Sequence, residues 1–131
     1  MLLLCGFATT AQARPMTVTL ACKGTTTAGY QDAKPEPISI GVMVNLTART
    51  VQGFGFLGFI DIPVRITAAN DVTVAFEGSQ QVLASESSIM GSLDRVTGAM
   101  EATSTLSDPT TNHIISQTAY ALQCKPAQRM F

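Results

Sequence analysis

Beyond Pro15 the chain alternates apolar and polar residues at a period of two, and a cysteine stands near each end of the alternating stretch. In an extended chain successive side chains point to opposite faces, so this period marks strands buried on one side. Val18, Leu20 and Cys22 share one face, opposite Thr17, Thr19, Ala21 and Lys23. The pattern recurs in Ile38, Ile40, Val42, Val44 and Leu46, then in Ile62, Val64 and Ile66, and again in Val72, Val74 and Phe76. Ile89, Gly91 and Leu93 continue it, Met100 to Leu106 carries it with weaker contrast, and Tyr120, Leu122 and Cys124 close the series.

Turn-prone residues separate these runs. Asn45 to Thr50, Ala69-Asn70-Asp71, Gly78-Ser79 and Asp94 to Gly98 predict turns, and Thr25 to Pro37 predicts a longer loop broken by Gly29, Pro35 and Pro37. Helical spacing is nowhere sustained, and Gln80 to Ala84 suffices for a single turn. Strands this closely spaced leave no room for the crossover helices of a parallel sheet. The expectation is an all-β domain of about eight antiparallel strands. It forms a small closed barrel or, alternatively, a two-sheet β-sandwich. The chain's 131 residues fit one such domain.

The N-terminus reads as an export signal. Met1 to Phe7 is mostly apolar, and Ala11-Gln12-Ala13 forms a small-x-small cleavage site, so residues 1–13 are expected to be removed and a mature domain of residues 14–131 to begin at Arg14. No basic residue precedes the apolar run, which a start codon assigned too far downstream would explain; a frayed terminus is the alternative. Cleavage removes Cys5 and leaves Cys22 and Cys124, 102 residues apart. In an oxidising compartment that even count predicts a disulfide, two free buried thiols being the other possibility. The bridge needs Cα atoms roughly 4–7 Å apart, so the first and last strands must meet. Adjacent strands would close a barrel, and facing strands would staple two sheets. Closure also removes exposed edges, which favours the barrel.

Charge excludes several partners. Charged residues make up 13% of the chain, the formal net charge is −1, and Lys and Arg are scattered singly. A nucleic-acid surface requires a basic stripe, and so does an electrostatic membrane anchor. After residue 13 no stretch approaches the ~20 apolar residues of a transmembrane helix. A periplasmic or secreted monomer is expected.

Few residues suggest chemistry. His113 is the sole histidine, flanked by Ser107, Asp108 and Ser116 without a nucleophile elbow. Both mature cysteines are committed to the bridge, so a zinc set cannot be completed, and no metal or cofactor is expected. Asp61, Asp71, Glu77, Glu86, Asp94 and Glu101 are dispersed, so a catalytic carboxylate pair would have to be assembled by the fold. Asp94-Arg95 reads as part of a turn, with Gly98 supplying positive φ and Arg95 suited to bind a carboxylate. The segment QGFGFLGFIDI, Gln52 to Ile62, interleaves Phe54, Phe56 and Phe59 with glycines. It is either a strand and turn filling the core or an aromatic lip over a ligand mouth.

The segments LACKGTTT (Leu20 to Thr27), GSLDRVTGAMEAT (Gly91 to Thr103) and YALQCKPAQRMF (Tyr120 to Phe131) resemble an uncharacterised family of small, signal-peptide-bearing proteins of alphaproteobacteria, particularly rhizobial relatives. The resemblance covers nearly all the mature chain. It implies a Gram-negative periplasmic or secreted setting and assigns no functional residues. A looser likeness is to periplasmic lysozyme inhibitors, small disulfide-bearing barrels whose Ser-Gly motif followed by Tyr is missing here. The expected function is non-enzymatic: binding a small apolar ligand or a protein partner, with Phe54, Phe56 and Phe59 as candidate contacts. The alternatives are a structural envelope component and a hydrolase with fold-assembled carboxylates.

Overall fold

In a computed structural model, which describes residues 17–53 and 62–127, the alternating runs form eight antiparallel strands that close on themselves. They are β1 (Thr17–Ala28), β2 (Glu36–Asn45), β3 (Thr50–Gln52), β4 (Val64–Ala69), β5 (Thr73–Val82), β6 (Ser85–Asp94), β7 (Ala99–Asp108) and β8 (His113–Pro126). Each pairs with its neighbour in sequence, and β8 pairs with β1 to complete an up-and-down barrel. Closure gives every strand a neighbour on both sides, with the thinnest pairing at β3, which meets β2 through Met43–Asn45 and β4 through Val64 and Arg65 among the described residues. Between barrel and sandwich, the β1–β8 seam decides for the barrel. Cys22 and Cys124 are direct partners in that seam and are joined by a disulfide, with Cα atoms 4.0 Å apart.

The period-two pattern sets the core. Leu20, Cys22, Ile40, Val42, Val44, Val51, Val64 and Ile66 are buried, as are Val74, Phe76, Ile89, Leu93, Met100, Ala102, Tyr120, Leu122 and Cys124. No polar or charged residue is buried among the described residues. Pairing registers stack the inward side chains into rows, and the row Ile66–Phe76–Gly91–Ala102–Tyr120 sets the small pair Gly91 and Ala102 between the rings of Phe76 and Tyr120. Phe76 fills the space that Gly91 vacates: a Cβ added to Gly91 would stand 2.7 Å from the Phe76 ring. Such large–small complementarity fills a narrow barrel without strain.

Outward positions carry Thr17, Thr19, Lys23, Ser39, Glu77, Glu101, Thr103 and Gln123. They are interspersed with Ala21, Met43, Ala75, Met90, Ala119 and Ala121, so the described outer face is mixed and lacks the continuous apolar band of a membrane-embedded barrel. No helix among the described residues is long and apolar enough to cross a membrane.

Several local expectations need correction. No turn occurs at Gly78-Ser79 and no helical turn at Gln80 to Ala84; β5 runs through to Val82 and meets β6 in a tight hairpin at Leu83-Ala84. The loop after β1 is shorter than the expected Thr25 to Pro37, because β1 continues to Ala28 and β2 begins at Glu36. β7 and β8 extend as a hairpin through Asp108 and His113, a stretch without visible alternation. β3 is a three-residue strand around buried Val51. In each case the cross-strand hydrogen-bond ladder, a tertiary interaction, overrides a weak local preference.

Candidate functional site

The inward rows differ at the two ends of the barrel. Where β1 begins and β8 finishes, apolar side chains continue to the rim. Val18, Leu20, Val44, Leu46, Val74 and Leu93 line a cavity of about 370 Å³ that opens to solvent. At the other end polar residues enter the inward rows, among them Thr26, Gln80, Ser87, Ser104 and Thr118, alongside Val82 and Leu106. Gln80 Oε1 is buried there without a hydrogen-bond partner in the protein, a place where a water would be bound.

The rim of the apolar mouth is a constructed feature. Its lip is the turn between β6 and β7, Asp94 to Gly98, with Lys125 and Pro126 of β8 beside it. The Asp94 carboxylate accepts the backbone N–H groups of Val96 at 2.9 Å and Thr97 at 3.1 Å. Those two bonds, Thr97 first, hold the carboxyl below the ordinary carboxylate range, so Asp94 is ionised at neutral pH, with Oδ1 turned onto the turn backbone. Gly98 takes φ +80°, and its N–H closes the turn on the Asp94 carbonyl at 2.8 Å.

Both flanks of the lip are tethered. On one side the Arg95 N–H donates to the Val72 carbonyl at 2.7 Å, and Arg95 Nη1 donates to the Asn70 carbonyl at 2.6 Å. Asn70 in turn orders its own turn, its Oδ1 accepting the N–H groups of Val72 and Thr73 at 2.8 Å. On the other side the Cys124 N–H donates to the Gly98 carbonyl at 2.8 Å, and Gln123 Nε2 donates to the Thr97 carbonyl. The lip is thereby fixed to the β4–β5 turn and to β8, and Val96 at its tip is 76% exposed. An apolar cavity with a few placed polar groups on a rigid rim has the general form of a small-molecule site.

The other candidate residues are distributed differently. The aromatic segment with Phe54, Phe56 and Phe59 lies outside the described residues, which resume at Ile62, and so do Asp61 and the N-terminal segment through residue 16. Glu77 and Glu101 line one concavity of about 620 Å³ on the outer face of β5 to β8, with Met90 and several alanines for neighbours. They stand on β5 and β7 with β6 between them, so the fold brings two carboxylates to one groove but supplies no histidine there. His113 is exposed at the start of β8, paired across the hairpin with Asp108 and remote from both concavities. Among the described residues, no three His, Cys, Asp or Glu side chains are grouped to hold a metal ion.

The mouth residues themselves were not singled out from sequence, although a signal exists. Apolar inward residues reach the ends of their runs at Val18, Leu46 and Leu93, whereas the opposite ends of the same strands carry Thr26, Glu36 and Ser85. Comparison with protein-family models, with curated proteins and with solved structures found no match to the chain.

Proposed function

We propose that this chain is a non-enzymatic binding domain of the bacterial periplasm or extracellular space, holding a small apolar ligand in the open mouth of its barrel. The observation that carries the reading is the 370 Å³ mouth, lined by Val18, Leu20, Val44, Leu46, Val74 and Leu93 and rimmed by a tethered turn. Exposed apolar surface costs free energy in water at about 25 cal/mol per Å², and a ligand that covers it recovers that cost. A rigid, preformed mouth keeps the ordering penalty of binding small.

The neutral fluorophore N-phenyl-1-naphthylamine tests the site. The protein is expected to enhance its emission at micromolar concentration. Val18→Glu places a carboxylate among the lining residues at a position already 41% exposed, so the fold should tolerate it. That variant should weaken the probe's binding by about tenfold or more, the desolvation cost of an unpaired charge. No enhancement by the native protein, or equal enhancement by the variant, defeats the reading.

The disulfide supports the proposed compartment, since such bonds persist where the surroundings are oxidising. N-terminal sequencing of the protein exported by its host should begin at Arg14, and a retained Met1 would refute processing of the first 13 residues.

A further inference from the structure

We infer that the ligand of the mouth is a single-chain amphipathic anion, its tail among the apolar lining residues and its headgroup held by Arg95 and Lys125. This rests on the reading of the mouth as a ligand site and adds the chemistry of what enters it.

Three observations converge on it. Among the described residues the charged side chains at the rim are Asp94, Arg95 and Lys125, so two cations stand against one carboxylate. Asp94 Oδ1 accepts two N–H groups of its own turn, which holds that carboxylate against the turn backbone. Arg95, a lining residue of the mouth, is anchored through Nη1 on the Asn70 carbonyl, which leaves its other N–H donors for a ligand. Lys125 follows inward-facing Cys124 on β8 and so leaves the strand outward at the rim, where its long stem lets the ammonium swing to the entrance.

The whole chain carries a formal net charge of −1 and has no general attraction for anions. A preference for anionic ligands must therefore come from these rim cations. The geometry sets the order of contact, with apolar surface inside and positive charge at the entrance. A cavity of about 370 Å³ is at the small end of ligand sites and suits one acyl chain rather than the paired chains of a membrane phospholipid.

Isothermal titration calorimetry with three ten-carbon ligands below their aggregation concentrations tests the inference: decanoate, decanol and decyltrimethylammonium. Decanoate is expected to bind about tenfold more tightly than decanol, the usual worth of a charge-assisted hydrogen bond, and the cation should bind most weakly. The double variant Arg95→Gln/Lys125→Gln should narrow the decanoate–decanol ratio to below about threefold while leaving decanol unchanged. Because Arg95 also tethers the lip, Lys125→Gln alone serves as a second variant and should reduce the ratio by about threefold. Lys34→Gln, in the β1–β2 loop at the opposite end, should change neither affinity.

Equal binding of decanoate and decanol, or a ratio unaffected by both rim variants, overturns the headgroup assignment and leaves the apolar site standing. Failure of all three ligands to bind overturns both. Binding to phosphatidylglycerol vesicles with no uptake of free decanoate overturns the assignment in favour of a membrane surface.

Discussion

Replacing both cysteines, as Cys22→Ala/Cys124→Ala, is expected to cost the barrel about 4–5 kcal/mol, the chain-entropy value for a loop of this length. The bridge joins residues 102 apart, close to the two ends of the described chain. It also lies within the one seam whose strands are not neighbours in sequence. Every other pair of strands is consecutive in sequence, but β1 and β8 must find each other across the whole domain. In the seam the Cys124 N–H points away from β1 toward the Gly98 carbonyl. The two cysteines therefore form a non-hydrogen-bonded pair, the closer of the two antiparallel arrangements, which matches their 4.0 Å Cα separation.

A domain of this size has about 5–15 kcal/mol of total stability, so the loss takes up a large share of it. The check is urea unfolding of the double variant beside the oxidised protein, followed by far-UV circular dichroism. The midpoint should fall steeply, and amide exchange should show the seam residues of β1 and β8 losing protection before those of the β5–β6 hairpin. A loss below about 1 kcal/mol, within what two strands of hydrogen bonds can absorb, would mean that the seam closes without its bridge.

Phe76→Ala is expected to destabilise the barrel by about 3–5 kcal/mol, the range for truncating a fully buried Phe. Phe76 is 1% exposed and is the largest of the fully buried side chains. It stands between Ile66 and Gly91 in the row that runs from Ile66 to Tyr120, directly across from Gly91 on β6. Truncation leaves a void that the backbone cannot close, because β5 and β6 are held in register on both sides of it. Gly91→Ala adds volume at the same place and would press on both the ring and the Glu101 carbonyl, the latter 2.5 Å from the added Cβ. The two sites share one space, so their substitutions should not be additive in a double-mutant cycle. Denaturant midpoints of the two single variants and the double variant give the coupling directly. A cost for Phe76→Ala under about 1 kcal/mol would show that the row does not carry the core.

Legibility of the fold followed the contrast between the two faces of each strand. Around Val18 to Cys22, Ile38 to Val44 and Val74 to Phe76, apolar and polar residues alternate cleanly, and those runs are strands with the expected inward faces, whereas Val72, expected inward, is exposed in the bend before β5. The contrast disappears where the barrel interior becomes polar. Gly78 to Gln81, Ser85 to Ser88, Ser104 to Asp108 and His113 to Thr118 bear polar or small residues on both faces, so half-barrel strands resemble loops in sequence. Their extended form is imposed by neighbours, Ser79 to Gln81 being paired with β6 and His113 to Ser116 with β7 as continuations of ladders begun in the strongly patterned halves. β3 offers a single buried side chain, Val51, too short a run for any period to show.

The mouth was partly legible for the same reason. Asp94 to Gly98 announces a turn through its own chemistry, since Asp94 caps it and Gly98 supplies the positive φ. That this turn stands over an apolar opening, beside Lys125 and tied to Asn70, depends on residues from several strands that sequence distance keeps apart.

What the sequence determined by itself is the strand period, the face each side chain takes, the turn chemistry and the meeting of Cys22 with Cys124. These are local properties of extended chains, or follow from a single covalent constraint. Only the tertiary structure decided that the first and last strands lie side by side rather than face to face, and that one end of the resulting barrel is apolar and open. Alternation specifies which way a residue points but not which strand lies beside it, and a disulfide is compatible with either arrangement. The ladder between β1 and β8 settles both, because its register fixes which inward residues share a level and therefore which of them form the mouth.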